Sequence, residues 1–180
     1  MKAMTGRIEY REHLGWGPGY WALALLFGVL VLAGLGGAGT YWREQVAPFA
    51  QTHTVIVYDQ RGTGRSSHVP VASIGELAGD ALALLDALGI GAVHYVGHST
   101  GGAIGQVLAL ERPERLKSLV LYATVHRSDP YRLRMWSLRK AVLAEMGPKI
   151  YAQLTSLVLY PPAWIAANDA RLASEEAVAE

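Results

Sequence analysis

The stretch Val93-His94-Tyr95-Val96-Gly97-His98-Ser99-Thr100-Gly101-Gly102 decides how this chain is read. A short apolar run stops at Gly97-His98-Ser99-Thr100-Gly101, and a helix-like stretch, 103–111, follows at once. Strand, tight turn and helix are the setting of a G-x-S-x-G nucleophile elbow. The spacing has a physical origin. A serine whose hydroxyl must stand clear of a sheet sits on a sharp, strained turn. The backbone around such a turn leaves no room for side chains two positions either side, hence Gly97 and Gly101. The turn also aims the first amides of the next helix at the Ser99 oxygen, which favours negative charge there. Taken alone, the five residues also fit a glycine-rich strand-to-helix turn with an incidental serine.

Upstream, Gly34-Leu35-Gly36-Gly37-Ala38-Gly39 supports two uses. It fits G-x-G-x-x-G, follows an apolar strand ending at 33 and precedes a helix-like stretch, 41–50. A second strand, 54–58, ends in Asp59 about twenty residues on. That is the pattern of a dinucleotide-binding unit. The same loop can instead supply an oxyanion hole, with the Leu35 N–H as one donor and the Thr100 N–H as the other. A nucleotide site has no use for the Ser99 elbow, so the elbow decides for the oxyanion hole. Gly34, Gly36, Gly97 and Gly101 are then the glycines on which the site depends. In the turn-rich stretch from Asp59 to Ser67, Asp59 and Arg61 are expected to tie down backbone.

The remaining segments build a sheet around these loops. Ser73-Ile74-Gly75-Glu76 is a capping box. The helix it opens carries Ile74, Leu77, Ala78, Ala81, Leu84, Leu85 and Leu88 at helical spacing and closes at Gly89, with Asp80 and Asp86 on its solvated side. A further buried strand is expected at 116–122. Strand–helix alternation from Val29 to Tyr122 predicts an α/β fold with a doubly wound, mostly parallel sheet. After Thr124 the pattern turns helical, from Asp129-Pro130 to Met146 and again over 149–160, with breaks at Gly147-Pro148 and Pro161-Pro162. The expected organisation is a core over 1–124 and a helical cap over 125–180, above the strand ends where such sheets bind ligands. Trp136, Tyr151, Tyr160 and Trp164 are candidates to line a substrate pocket.

Composition narrows the functional classes. The 180 residues carry a net charge of +1 and no cysteine. There is no basic face for nucleic acid, no disulfide and no thiolate ligand or nucleophile. None of the six histidines stands in an H-E-x-x-H pattern, so no zinc site is expected. From Gly15 to Trp42 no residue is charged, and 20–32 is almost wholly apolar. By length this could be a transmembrane helix or a signal peptide. A span would cut an edge strand expected at 7–11 off from its sheet, and cleavage near Gly39 would remove the glycine loop. A buried parallel strand over 28–33 is therefore preferred, with anchoring through Gly19 to Gly39 as the lesser alternative. Neither the strand nor its loop explains 20–27.

With these residues in hand, the chain resembles the α/β-hydrolase superfamily over about 29–180. The resemblance rests on Gly34-Leu35-Gly36-Gly37, on Tyr58-Asp59-Gln60-Arg61-Gly62-Thr63-Gly64-Arg65-Ser66 and on Gly97-His98-Ser99-Thr100-Gly101-Gly102, in that order. More narrowly, Ala33 to Trp42 and the cap segment Leu157-Val158-Leu159-Tyr160-Pro161-Pro162-Ala163-Trp164-Ile165-Ala166-Ala167 are similar to the pyrimidine-utilisation D family of bacterial uracil breakdown. The resemblance implies a cytoplasmic hydrolase of a carbamate, an aminoacrylate or another small amide or ester. Ser99 would be its catalytic nucleophile and its partner a small-molecule substrate. It implies no metal and no organic cofactor, and it leaves a homo-oligomer open. In this superfamily the triad acid and histidine follow the cap, and the sequence holds neither there. His98 belongs to the turn and should point away from the site. His126, with Asp129 to orient it, is the one stand-in. The expectation is a fragment that lacks the C-terminal part of the core. It should be inactive or weakly active, because losing the histidine of such a triad costs on the order of 10⁶ in turnover.

Overall fold

The computed structural model describes residues 28–34 and 38–177. The edge strand expected at 7–11, the apolar stretch 20–27 and the loop residues 35–37 lie outside them. The chain forms two compact units, one ending at His126 and one beginning at Arg127, and each is taken by itself.

The first unit is built on four strands: β1 (Gly28–Leu32), β2 (Thr54–Val57), β3 (Val93–His98) and β4 (Leu116–Tyr122). All pairings are parallel, in the order β2-β1-β3-β4. Three helices connect them: α1 (Arg43–Ala50), entered through a 3-10 turn at Gly39–Trp42, α2 (Ile74–Ala87) and α3 (Thr100–Glu111). Every residue of β1 is buried, as a continuous apolar run in the middle of a parallel sheet requires. Alternation along the strand then divides its side chains. Leu30 and Leu32 join Ile56, Val93 and Tyr95 beneath α2 and α3, which contribute Leu77, Ala81, Leu85, Ile104 and Leu108. Val29, Val31 and Ala33 face the other way, toward Trp42 and the α1 residues Val46 and Phe49. Helices on both faces make the sheet doubly wound, as predicted. Gly105 lets α3 lie close on the sheet: a Cβ there would sit 2.6 Å from Tyr95 Cε1 and 2.8 Å from Leu119 Cδ1.

Two expectations are corrected. The strand at 116–122 forms but is not buried; Val120 is 51% and Tyr122 57% exposed. Its apolar sequence fits an interior position, yet among the described residues β4 ends the sheet with no strand on its outer side. Asp80 is not simply solvated. Its Oδ2 accepts from Arg61 Nε at 2.9 Å, and both side chains are half-buried. Arg61 thus binds a helix carboxylate instead of tying down backbone.

The second unit holds α4 (Pro130–Leu159), α5 (Pro162–Ala167) and α6 (Asp169–Ala177). The two long helices expected here are arms of α4, separated at Gly147 (φ 82°, ψ 176°) ahead of Pro148. The Asp129 carboxylate caps the first arm by accepting from Arg132 N at 2.8 Å. Among the described residues no helix is long and apolar enough to cross a membrane.

The capping box at α2 forms as read. Ser73 Oγ accepts from Glu76 N at 3.2 Å, while the Glu76 carboxylate accepts from Ala72 N at 3.3 Å, one residue before the cap. Ser73→Ala should lower stability by about 1 kcal/mol. In urea unfolding this would appear as a lower midpoint with an unchanged slope.

Candidate active site

The turn between β3 and α3 is the tightest place in the first unit. Ser99 stands at φ 51°, ψ −113°, a conformation costly for any side chain larger than glycine. It is held there from both sides by the end of β4. Its N–H donates to the Tyr122 carbonyl at 2.9 Å, and its carbonyl accepts from Thr124 Oγ1 at 2.7 Å. Ala123, between those two partners, is itself at positive φ, 47°. The glycines sit where the spacing places them. A Cβ on Gly97 would overlap the Gly101 carbonyl and lie 2.6 Å from Gly102 N. One on Gly101 would overlap the Leu32 carbonyl and lie 2.8 Å from that of Ala33.

Helix α3 is tied down through Gly101. Its N–H donates to the Ala33 carbonyl at 3.1 Å, and its carbonyl accepts from the buried Tyr95 hydroxyl at 2.6 Å. Burial pushes the Tyr95 phenol far above its usual range, so it serves as a neutral donor. The Ala33 carbonyl takes a second hydrogen bond, from Gln60 Nε2 at 2.7 Å. Gln60 is only 4% exposed. Sequence reading missed both Gln60 and Thr124. Gln60 left one weak signal, an amide side chain between Asp59 and Arg61, whose roles were already accounted for.

Of the expected oxyanion donors, the Thr100 N–H opens α3 and makes no hydrogen bond among the described residues. Leu35 and Gly36 lie outside the described residues. Gly34 does not, and it abuts the elbow: a Cβ there would be 3.1 Å from Ser99 Cβ and 3.2 Å from His98 Nδ1. At the far end of this loop the Gly39 N–H donates to Asp59 Oδ1 at 2.8 Å. Asp59 Oδ2 accepts from Arg65 N at 2.9 Å. Both carboxylate oxygens are therefore engaged in holding backbone, as expected for Asp59. A dinucleotide ribose, the rival use of this loop, would have to displace one of those bonds.

No imidazole or carboxylate among the described residues hydrogen-bonds the Ser99 hydroxyl. Asp129 is occupied as a helix cap, and no hydrogen bond joins His126 to Ser99. His98 packs on Tyr41, with ring centres 4.9 Å apart and planes within 9°, and on Tyr122 at 5.2 Å. Its Nδ1 is buried without a partner. His94 and His98 are four apart, a ligand spacing on a helix, but on an extended strand that separation is about 13 Å. No cluster able to hold a metal occurs among the described residues. In the second unit, Tyr160 and Trp164 stack with ring centres 4.1 Å apart, and Trp136 lies against Arg139.

An elbow serine strained at positive φ, on a doubly wound parallel sheet, defines a fold class. A family model described as alpha/beta hydrolase fold matches residues 29–153, and the chain belongs to that family. It is 47% identical over 152 residues to the protein named "Putative carbamate hydrolase RutD" of Pseudomonas savastanoi pv. phaseolicola, covering 83% of this chain and 59% of that protein. The protein of the same name from Azorhizobium caulinodans is 44% identical over 150 residues, covering 83% of this chain and 57% of that protein. Among solved structures it is similar to a hydrolase from Pseudomonas aeruginosa PA01, with TM-score 0.75 and 30% identity over 83% of this chain and 57% of that one. The enol-lactonase from Burkholderia xenovorans LB400 also matches, with TM-score 0.75 and 27% identity over 84% and 58%. The chain thus spans about three-fifths of the length of the curated relatives it matches.

Desolvation lowers the His98 pKa below the ordinary histidine value of 6.5. The folded state then holds this ring neutral where the unfolded chain would protonate it. The stability it contributes is complete above about pH 6.5 and is lost as pH falls through that value toward the folded pKa. Unfolding free energies measured between pH 7.5 and 5 should therefore decline toward acid, and His98→Gln should flatten that decline.

Proposed function

We propose that Ser99 is the nucleophile of a hydrolase acting on a small carbamate, aminoacrylate or related amide or ester. The observation that carries this reading is the strained Ser99 backbone with the uncommitted Thr100 N–H beside it. On a carbamate, amide or ester, the substrates with a leaving group on the carbonyl, Ser99 Oγ attacks the carbonyl carbon and yields its proton to a base. The resulting oxyanion is held by the Thr100 amide and, from the glycine loop, by the Leu35 amide. Collapse of the intermediate expels the protonated amine or alcohol, and water then releases the acyl group from Ser99. The sequence requires neither metal nor organic cofactor for these steps. The base comes from outside the described surroundings of Ser99. The carbamate follows the printed name of the curated relatives. In this reading 125–180 is the cap, and Trp136, Tyr160 and Trp164 are its substrate-contacting aromatics.

A serine-directed fluorophosphonate, incubated with the full-length gene product and mapped by mass spectrometry, should label Ser99. Ser99→Ala should abolish that labelling. Thr124→Val should slow it several-fold, while Thr124→Ser, which keeps the hydroxyl on the Ser99 carbonyl, should restore it. Labelling confined to other residues would overturn the assignment.

A further inference from the structure

The second unit contains a guanidinium that no carboxylate among the described residues neutralises. Arg139, on the first arm of α4, donates from Nη2 to Tyr151 Oη at 2.7 Å and to Thr155 Oγ1 at 3.0 Å, both on the second arm. Its Cζ lies 5.0 Å from the Trp136 ring centre and 4.9 Å from that of Tyr151. The Thr155 hydroxyl donates its own hydrogen to the Tyr151 carbonyl at 2.8 Å, so it faces Arg139 as an acceptor. Arg139 Nε is buried and has no partner among the described residues. Arg61, Arg112, Arg115 and Arg171, by contrast, each face a carboxylate.

A tie between the two arms would explain the hydrogen bonds but not the charge. Both acceptors are neutral hydroxyls, which an uncharged amide side chain would satisfy equally well. A half-buried cation held by neutral groups alone is poorly compensated. The ring contacts favour a cation but take up directions off the guanidinium plane. Counter-charge can then approach only in that plane. Nη2 is already engaged, and Nη1 is the end that remains for an incoming group. A guanidinium held rigid, with the Nη1 hydrogens unfilled, offers directional donors that a carboxylate or carbamate oxygen can accept in the guanidinium plane.

We infer that Arg139, framed by Trp136, Tyr151 and Thr155, is a binding site for a small carboxylate. The site lies wholly within the second unit and does not depend on Ser99 being a nucleophile. Its test therefore reads binding and not turnover. Propionate is titrated into the full chain at constant ionic strength, against propionamide and against chloride, while the arginine Nε–H resonances are followed by 15N NMR. Propionate should shift the Arg139 signal saturably, and propionamide and chloride should not. Arg139→Lys keeps the charge but loses the guanidinium plane held against the two rings, and should weaken the response of the Trp136 indole N–H by at least about tenfold. If propionate gives no saturable shift, or chloride gives the same one, the site does not exist as proposed. An unchanged propionate response in Arg139→Lys would also overturn it. Should that variant fail to fold, the comparison of propionate with propionamide in the unaltered chain decides alone.

Discussion

The backbone of Ser99 is the constraint on which the first unit depends. A non-glycine residue at φ 51° costs about 1–3 kcal/mol and persists only where its surroundings over-determine it. Here three strand ends converge to do so. Parallel register sets Leu32 opposite Gly97 and Tyr122 opposite His98, so β1, β3 and β4 finish nearly level. From that level β4 grips Ser99 by both its N–H and its carbonyl, and β1 offers the Ala33 carbonyl to the first turn of α3. Glycine at 97 and 101 is the steric condition for this convergence, because each lies where another strand or turn would meet its Cβ.

The residues flanking the loop expected to carry the second oxyanion donor are held by the same economy of polar groups. At its start the Ala33 carbonyl is shared between Gly101 N–H and Gln60 Nε2, and at its end Gly39 N–H is held by Asp59. Both partners come from one turn after β2, which thereby sets the distance between the loop's ends. Stabilising a charge that develops only in a transition state requires donors positioned beforehand. The Gln60 amide is buried and hydrogen-bonded, the condition under which a polar side chain can lie in an interior without penalty.

These two layers differ in how far they could be read beforehand. The elbow was legible because its constraint is local: steric exclusion acts within five residues and leaves glycines at fixed offsets. The parallel sheet was legible because β1 must be apolar on both faces. The clasp was not, since Thr124 lies 25 residues from Ser99 and Gln60 lies 27 from Ala33. Nothing in the sequence near either member marks the other. The burial of β4 was misjudged for a related reason. Apolar composition reports what a strand is suited to pack against, not what the described residues place there. Arg139 looked like one more charge on a helix, and only the fold back at Gly147 brings Tyr151 and Thr155 to it.

The two units also rest on different physics. β1 and the inner faces of α2 and α3 form a core with Leu30, Leu32, Tyr95 and Ile104 fully enclosed. No residue of α4 is buried. Its arms are joined instead by polar contacts, Arg139 to Tyr151 and Thr155, with Ser156 reaching Glu176 of α6 at 3.3 Å. A segment with so little enclosed apolar surface opens locally at lower free energy than a packed core. Polar ties of this kind fix the geometry of donors and rings without fixing the whole segment. Rigidity is thus concentrated where a backbone must be held under strain. The helical unit is held instead at a few polar contacts between its arms.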